Sequence, residues 1–245
     1  MKNIVLFILL IAPTLWAQPK PLMIVPEKPV FCKEFDNKSD VDKASVKFNK
    51  ETQYKVEDGC LHAIPPLIAF AGTGRDSKRA SSSFSRVNFP ELPKDYVCQF
   101  RWKYIAPKSK KLQAKGMAYM DMGHRCIRTT LSRDGVKLLL ENHMVEEKAG
   151  IKSKLLQQSD ELKLEDDQWY EVTAEVKGDE VVMQINGHIL YGKDDLIAGE
   201  RANTFNIDIN GEGYLLDSIM IWEAGGYQLG WASTKKKLAK SSLEH

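Results

Sequence analysis

The chain has 245 residues, of which 43% are hydrophobic, 28% charged and 9% aromatic. This composition is typical of a folded globular protein and excludes a wholly disordered, collagen-like or multi-span membrane chain. Lys and Arg number 35 against 33 Asp and Glu, so the chain lacks the strong basic excess of nucleic-acid-binding proteins, and no nucleic-acid partner is expected.

The first 17 residues have the pattern of a secretory signal peptide. Lys2 supplies a positive start, the stretch from Ile4 to Ala12 is apolar, and Ala17 is a small residue before a cleavage point at Gln18. The apolar stretch is shorter than the roughly 20 residues that span a bilayer. We therefore predict an exported protein, periplasmic or secreted to the cell surface, with no stable membrane span after cleavage. An uncleaved anchor is the alternative.

Three regions follow the signal peptide. Residues 18–30 contain four prolines, which predict an extended leader. Residues 31–224 form the predicted domain. Residues 225–245 form a basic C-terminal tail with four lysines, which we interpret as a solvated end in which Trp231 is a candidate to dock onto the domain.

Period-two alternation dominates the domain. In residues 170–177, apolar Tyr and Val alternate with charged Glu and Lys, which is typical of a half-buried strand. Tight turns at 58–59, 134–135 and 186–187 separate further alternating segments. About eleven such strands predict an all-β fold, a two-sheet antiparallel sandwich. Residues 141–165 are polar and helix-compatible, and they are predicted to form a long, partly helical loop.

Export changes the interpretation of the cysteines. An even number of cysteines in an oxidising compartment predicts one or two disulfides, with no preferred pairing. The alternative is free buried thiols, because Cys98 shares an alternating face with Phe100 and Trp102. The spacing is too open for a zinc site. The disulfide candidates are Cys32, Cys60, Cys98 and Cys126.

Motifs in the second half of the domain resemble those of a known superfamily. WYEV at 169–172, EVKGDE at 175–180 and ING at 185–187 resemble the closing hairpin of concanavalin A-like lectin/glucanase domains. Residues 214–224 resemble their last strand, and GHRCIR at 123–128 fits their middle part. The chain is similar to exported bacterial proteins described as 3-keto-disaccharide hydrolase domains or family 16 glycoside hydrolase-like proteins.

The resemblance implies a jelly-roll sandwich with a carbohydrate ligand and glycoside hydrolase-like activity. The resemblance to 3-keto-disaccharide hydrolase domains implies a keto-sugar as the substrate. A non-catalytic glycan-binding or cell-surface structural module is the alternative. Family 16 enzymes carry Glu-x-Asp-x-x-Glu on one strand, which supplies the two carboxylates of retaining hydrolysis. This chain has no such run, because ELKLED at 161–166 does not match it.

One constellation in the middle strands combines carboxylates, histidines and an arginine, groups that supply acid–base and electrostatic catalysis. We expect Asp121, His124 and Arg128 to share one concave pocket. The alternative is that they are ordinary solvent-facing strand residues. The candidate catalytic residues are Asp121, His124, Arg128, Glu141 and His143.

Two tyrosines and three acids complete the predicted sites. Tyr119 and Tyr191 are candidates to stack on sugar rings. Structural calcium is the one candidate cofactor, because the resemblance suggests that Asp217 lies near the start of the domain, where Glu34 and Asp36 stand. Three oxygen-bearing residues, at 206, 208 and 210, alternate along one strand and form either part of an oxygen cluster or a polar exterior face.

Overall fold

The computed structural model describes residues 20–37, 41, 47–48, 53–65, 85–89, 91–106, 116–123, 126–141, 153–199 and 203–241. Within these ranges lie fifteen strands and two helices. The strands are β1 Ile24–Glu34, β2 Lys47–Phe48, β3 Gln53–Glu57, β4 Cys60–Ile64, β5 Ser85–Phe89, β6 Tyr96–Tyr104, β7 Met117–Met122, β8 Ile127–Ser132, β9 Gly135–Leu140, β10 Lys154–Ser159, β11 Trp169–Lys177, β12 Glu180–Ile185, β13 His188–Lys193, β14 Phe205–Ile209 and β15 Tyr214–Tyr227. The helices are α1 Asp195–Ala198 and α2 Trp231–Ser241.

The strands form two antiparallel sheets that pack as a sandwich, which confirms the predicted all-β jelly roll. The eight-stranded sheet has the order β13-β12-β11-β6-β15-β4-β3, and β1 pairs with β15 beside β4. The seven-stranded sheet has the order β10-β9-β8-β7-β14-β5-β2. Neighbouring strands distant in sequence, such as β7 and β14, therefore bring separate parts of the chain together.

Alternation determines which side chains fill the space between the sheets. Val172 and Ala174 of β11 pair with Phe100 and Cys98 of β6, and all four are buried in the main core. The residues between them point to the opposite side of the sheet. Trp102 is fully buried and stacks on a tyrosine at 4.8 Å, which confirms its interpretation as a core residue.

Two of the predicted turns have the backbone that tight hairpins need. Asp58 and Gly59 have φ values of 50° and 72°, and Asn186 and Gly187 have values of 47° and 84°. Two consecutive positive φ angles are typical of type I′ turns, whose twist matches that of paired strands. The dipeptides therefore identify the β3–β4 and β12–β13 hairpins from sequence alone.

The predicted leader is extended, but it belongs to the sheet from residue 24 onward. β1 pairs with β15 through irregular register around Pro26 and Pro29. Proline lacks an amide hydrogen, so it is tolerated on an edge strand, where one side of the backbone needs no partner. The predicted boundary at residue 31 is therefore corrected, because β1 begins at Ile24.

Part of the predicted loop at 141–165 is also a strand. β10 pairs with β9 at the edge of the seven-stranded sheet. Leu155 of β10 is exposed, and the register shifts between Leu155 and Gln157, so the strand lacks clean alternation. An edge strand is held largely by hydrogen bonds to one neighbour, and its residues leave a weak hydrophobic pattern. The helical turns predicted here are absent from residues 153–165, and residues 142–152 lie outside the described ranges.

The outer side of the eight-stranded sheet is partly covered by residues 20–24, which we call the N-terminal strap. The Glu175 carboxylate accepts hydrogen bonds from the backbone amides of Leu22, Met23 and Ile24 at 2.8, 2.9 and 2.7 Å. The Gln184 side chain donates to the carbonyl oxygen of Lys20 at 3.1 Å. Burial raises the pKa of Glu175 above its ordinary value, and the three amide hydrogen bonds oppose this shift.

Helix α2 docks beside the strap. Trp231 is 3% exposed and packs in a second small core with Met23, Val182 and Tyr191. Lys235 donates to Glu180 at 3.0 Å. The interpretation of the tail as a solvated end is therefore wrong for residues 231–241, whereas the docking of Trp231 is confirmed. Among the described residues, neither helix is long and apolar enough to cross a membrane.

Acid is expected to weaken the attachment of α2. Burial raises the pKa of the Glu180 carboxyl group. Hydrogen bonds from Tyr191 and Lys235 and the charge of Lys235 lower this pKa by more, so that it lies below the ordinary value. A carboxyl group with a lowered pKa stabilises the fold above its unfolded pKa, about 4.3, and loses this effect as pH falls through the folded pKa. We expect wild type to be more stable than Glu180→Gln at pH 7, with the difference shrinking below about pH 4 in urea unfolding. A constant difference from pH 7 to 3 would contradict this role.

All four cysteines are free thiols, which corrects the predicted disulfides. Cys98 is fully buried in the core, as the alternative interpretation held. Cys60 lies on β4 with Sγ 3.9 Å from Asp217, and burial raises the pKa of its thiol to about 11. Cys32 is exposed on an edge strand, and Cys126 precedes β8 in the other sheet. The topology thus places the thiols in separate environments.

Candidate functional site

The outer side of the seven-stranded sheet carries an unusual density of polar side chains. Val87, Met120 and Ile207 on three of its strands point into the core, so the alternate residues point away from it. Strand register aligns these residues in two rows across β5, β14, β7 and β8. We call this surface the charged face. Its members are Arg86, Asn88, Tyr119, Asp121, Arg128, Thr130, Asn206 and Asp208, together with Glu141, which follows β9 and bonds to Arg128.

Arg128 is the centre of the first cluster. Its Nε and Nη2 donate to the two carboxylate oxygens of Asp121 at 2.6 and 2.9 Å. Its Nη1 donates to Glu141 at 2.7 Å. Asp121 is 0% exposed, whereas the Glu141 side chain is 18% exposed. One guanidinium group thus links a buried carboxylate to one that water can reach.

A second arginine–aspartate pair stands two strands away. Arg86 of β5 donates from Nε and Nη2 to the two carboxylate oxygens of Asp208, at 2.6 and 2.5 Å. Asp208 is 2% exposed and pairs in register with Tyr119 of β7. The Tyr119 ring lies 4.5 Å from the Arg128 guanidinium carbon. Tyr119 therefore connects the two clusters and presents a half-buried aromatic ring between them.

The electrostatics of the face keep the arginines charged. Burial opposes the charge of Arg128, but the hydrogen bonds and charge of Asp121 and the charge of Glu141 raise its pKa above the ordinary value. Hydrogen bonding to Asp208 raises the pKa of Arg86. Burial also raises the pKa of Tyr119, which therefore remains a neutral hydroxyl at physiological pH. The face offers fixed ion pairs and a neutral phenol to a ligand.

A recess lies at the edge of the sheet, where one row of the charged face ends. Lys137 of β9 pairs with Thr130 of the face on one side and with Gln158 of β10 on the other. The recess has a volume of about 420 Å³. It is lined by Asp134, Gly135, Val136, Lys137, Gln158, Ser159, Asp160 and Glu161. Acidic groups therefore continue beyond the central clusters.

Three of the five predicted catalytic residues come together. Asp121, Arg128 and Glu141 form one hydrogen-bonded cluster on one face. The pocket expected for Asp121, His124 and Arg128 stays a prediction. His124 and His143 lie outside the described residues. The interpretation of Arg128 as an ordinary solvent-facing residue is wrong, because only 13% of its side chain is exposed and its guanidinium group bonds two carboxylates.

The two predicted sugar-stacking tyrosines lie on different sheets. Tyr119 is on the charged face, whereas Tyr191 is on β13 of the eight-stranded sheet. Tyr191 is 7% exposed, donates to Glu180 at 2.7 Å and packs against Trp231. The prediction of Tyr191 as a stacking platform is therefore corrected, because α2 covers its ring.

Of the three acids predicted to bind calcium, Asp217 is engaged by an arginine. Glu34 pairs in register with Ser218, next to Asp217, and Asp36 lies beside Gly59. Asp217 accepts a hydrogen bond from Arg101 at 3.1 Å. Within the described ranges, no group of three or more His, Cys, Asp or Glu side chains is arranged to hold a metal ion. Structural calcium stays a prediction.

Arg86 was missed by the sequence analysis. The residues at 206, 208 and 210 alternate as predicted and are 5%, 2% and 7% exposed. Asn206 and Asp208 lie on the outer face of the sheet, where Asp121 and Arg86 stand beside them on the neighbouring strands. The alternation of Arg86 and Asn88 around Val87 was a usable signal. The pairing of β5 with β14 could not be identified from the sequence, since the two strands lie more than one hundred residues apart.

No protein-family model matches the chain, and no curated protein matches its sequence. Solved structures share its fold. One similar structure belongs to work on members of the human gut microbiota that express endo-acting O-glycanases. It has a TM-score of 0.55 and 12% identity, and the match covers 81% of this chain and 100% of that chain. The LamA protein of Z. galactanivorans, solved with laminaritriose and laminaritetraose, gives the same four values.

A GlcNAcα1-4Gal-releasing endo-β-galactosidase from Clostridium perfringens is also similar. It has a TM-score of 0.54 and 10% identity, and the match covers 86% of this chain and 66% of that chain. At this level of identity the similarity establishes architecture alone. The expected concanavalin A-like fold is thereby confirmed.

Proposed function

We propose that this chain is an exported carbohydrate-active protein that binds a glycan on the charged face. The observation that carries the proposal is the clustering of Asp121, Arg128 and Glu141 beside the ring of Tyr119. The Glu141 carboxylate, which is 18% exposed and held by Arg128, accepts hydrogen bonds from hydroxyl groups, and the Tyr119 ring offers an apolar surface to a sugar. The site thus combines the two kinds of contact that a sugar requires.

The comparisons and the family resemblance support a carbohydrate rather than another polar ligand. The similar structures include an endo-β-galactosidase and a protein solved with bound laminari-oligosaccharides. Fold similarity alone does not carry an activity from one protein to another. The argument therefore depends on the charged face, and the similar structures favour the ligand class.

Glycoside hydrolysis, with a 3-keto-disaccharide as one possible substrate, is the second candidate function. Asp121 and Glu141 both bond to Arg128, so two carboxyl groups lie on one face, as glycosidases require. Hydrolysis also needs a neutral carboxyl group that donates a proton to the leaving group. Asp121 and Glu141 both accept hydrogen bonds from Arg128, and Asp121 is fully buried, so neither carboxyl group is placed to donate a proton to a sugar. Binding without turnover is therefore the better-supported function.

The test is a binding and product assay on protein beginning at Gln18. Isothermal titration with a panel of polysaccharides, disaccharides and 3-keto-disaccharides reports binding, and mass spectrometry of the same mixtures reports products. We expect at least one glycan to bind without new products. Tyr119→Ala should weaken that binding about fivefold or more, because it removes a ring contact worth about 1 kcal/mol or more.

Tyr227→Ala is the matched control, because Tyr227 is 45% exposed at the end of β15 in the other sheet. It should leave the affinity within a factor of two. Equal losses in both variants, or binding of no glycan, would contradict the proposed site. New products that disappear in Asp121→Asn would establish the hydrolase in place of the binding protein.

A further inference from the structure

We infer that the charged face selects uncharged glycans and rejects sugars that carry carboxylate or sulfate groups, with Glu141 as a specificity-determining residue. This inference rests on the proposed function, because it concerns the ligand of the same face. Three observations support the inference: the arginines are bonded to protein carboxylates, one of these carboxylates is exposed, and acids line the recess.

The two arginines of the face are already engaged by carboxylates. Arg128 directs Nε and Nη2 at Asp121 and Nη1 at Glu141. Arg86 directs Nε and Nη2 at Asp208. Arginine recognises anionic ligands through this same paired geometry, so an anionic sugar would have to displace a protein carboxylate. The arginines therefore do not provide an anion site.

Among the residues of the central face that the structure describes, three carboxylates surround two guanidinium groups, so negative groups outnumber positive groups. Asp121 and Asp208 are almost fully buried, so their charges are poorly screened by water. Glu141 is the most exposed of the three carboxylates. A ligand that approaches the cluster of Asp121, Arg128 and Glu141 therefore meets Glu141 first, and this carboxylate attracts hydroxyl donors and repels anions.

The recess extends the same charge pattern. Three acids line it, at positions 134, 160 and 161, against one lysine, Lys137. Lys137 and Gln158 continue one row of the charged face by register. A glycan that runs from Tyr119 along this row would pass Thr130 and Gln158 and reach the acids of the recess.

The test compares each neutral oligosaccharide with a derivative of the same backbone. The probes are galacto-, cello- and laminari-oligosaccharides and the corresponding C6-carboxylates, titrated calorimetrically at 50 mM salt. We expect at least one neutral form to bind at least tenfold more tightly than its carboxylate, since one repulsive contact near a protein surface exceeds 1.4 kcal/mol. The ratio should shrink at 500 mM salt, where charges are screened within a few Å.

Glu141→Gln should reduce the neutral-to-anionic affinity ratio at least threefold, because it removes the exposed negative charge and keeps the shape. Glu171→Gln on the other sheet is the matched control and should leave the ratio unchanged. A ratio compares two ligands on one protein sample, so a partial loss of folded protein does not alter it. Carboxylates that bind as tightly as the neutral forms, or an unchanged ratio in Glu141→Gln, would overturn the inference and leave the proposed function standing. Binding of neither form would instead contradict the proposed function.

Discussion

Replacing Glu175 by alanine is expected to release the N-terminal strap and to lower the free energy of unfolding by about 3 kcal/mol or more. The carboxylate accepts hydrogen bonds from three backbone amides, two of them from residues that are fully buried. Each buried amide left without an acceptor costs about 1–3 kcal/mol. Urea unfolding would measure the loss, and hydrogen exchange of residues 22–24 would show whether the strap is released.

Two variants make the test of Glu175 specific. Glu175→Gln keeps the shape and one carbonyl acceptor, so its loss should be intermediate. Glu171→Ala changes the same residue type four positions earlier on β11, away from the strap, and should cost within about 0.5 kcal/mol. Normal stability of Glu175→Ala, with unchanged protection of residues 22–24, would show that the strap is held by its apolar contacts alone.

Replacing Arg128 by alanine is expected to destabilise the fold by about 3–5 kcal/mol and to abolish glycan binding. Asp121 is 0% exposed, and Arg128 is its bidentate partner, so the variant leaves a buried carboxylate without compensation. Urea unfolding measures the first effect. Calorimetric titration of the glycan identified for the wild type, at a temperature where the variant is folded, measures the second.

Lys193→Ala is the matched control for this effect. Lys193 pairs with Asp179, and the two side chains are 53% and 31% exposed; exposed pairs contribute only about 0–1 kcal/mol. The double variant Asp121→Leu/Arg128→Met should recover much of the lost stability, because a buried ion pair replaced by apolar groups of similar size is often neutral. It should not recover binding. A loss below 1 kcal/mol in Arg128→Ala would contradict the account of the cluster.

The fold was largely predictable because alternation and turn chemistry act over short distances. The strands around Asn186-Gly187 and Asp58-Gly59 were identified from sequence, since each hairpin carries its own signal. β1 and β10 were missed because both are edge strands. Prolines interrupt β1, and β10 is too polar and irregular to alternate clearly. Helix α2 was missed because its stability comes from contacts of Trp231 and Lys235 with distant strands.

The site was only partly predictable for a related reason. Asp121 and Arg128 lie on adjacent strands of one hairpin, so their proximity followed from the sequence. The pairing of Arg86 with Asp208 depends on which distant strands are neighbours in the sheet, and no local pattern determines that. Tyr191 was assigned to the site because its exposure was inferred from the strand alone, without the helix that covers it.

The most direct test of the central claim is to locate the bound glycan by amide hydrogen exchange. With a saturating neutral oligosaccharide, the account predicts increased protection in β7, β8 and β14, which carry the charged face, and no change in β11 of the opposite sheet. Protection confined to the eight-stranded sheet, or no change in either sheet despite measurable binding, would contradict the assignment of the charged face as the binding site.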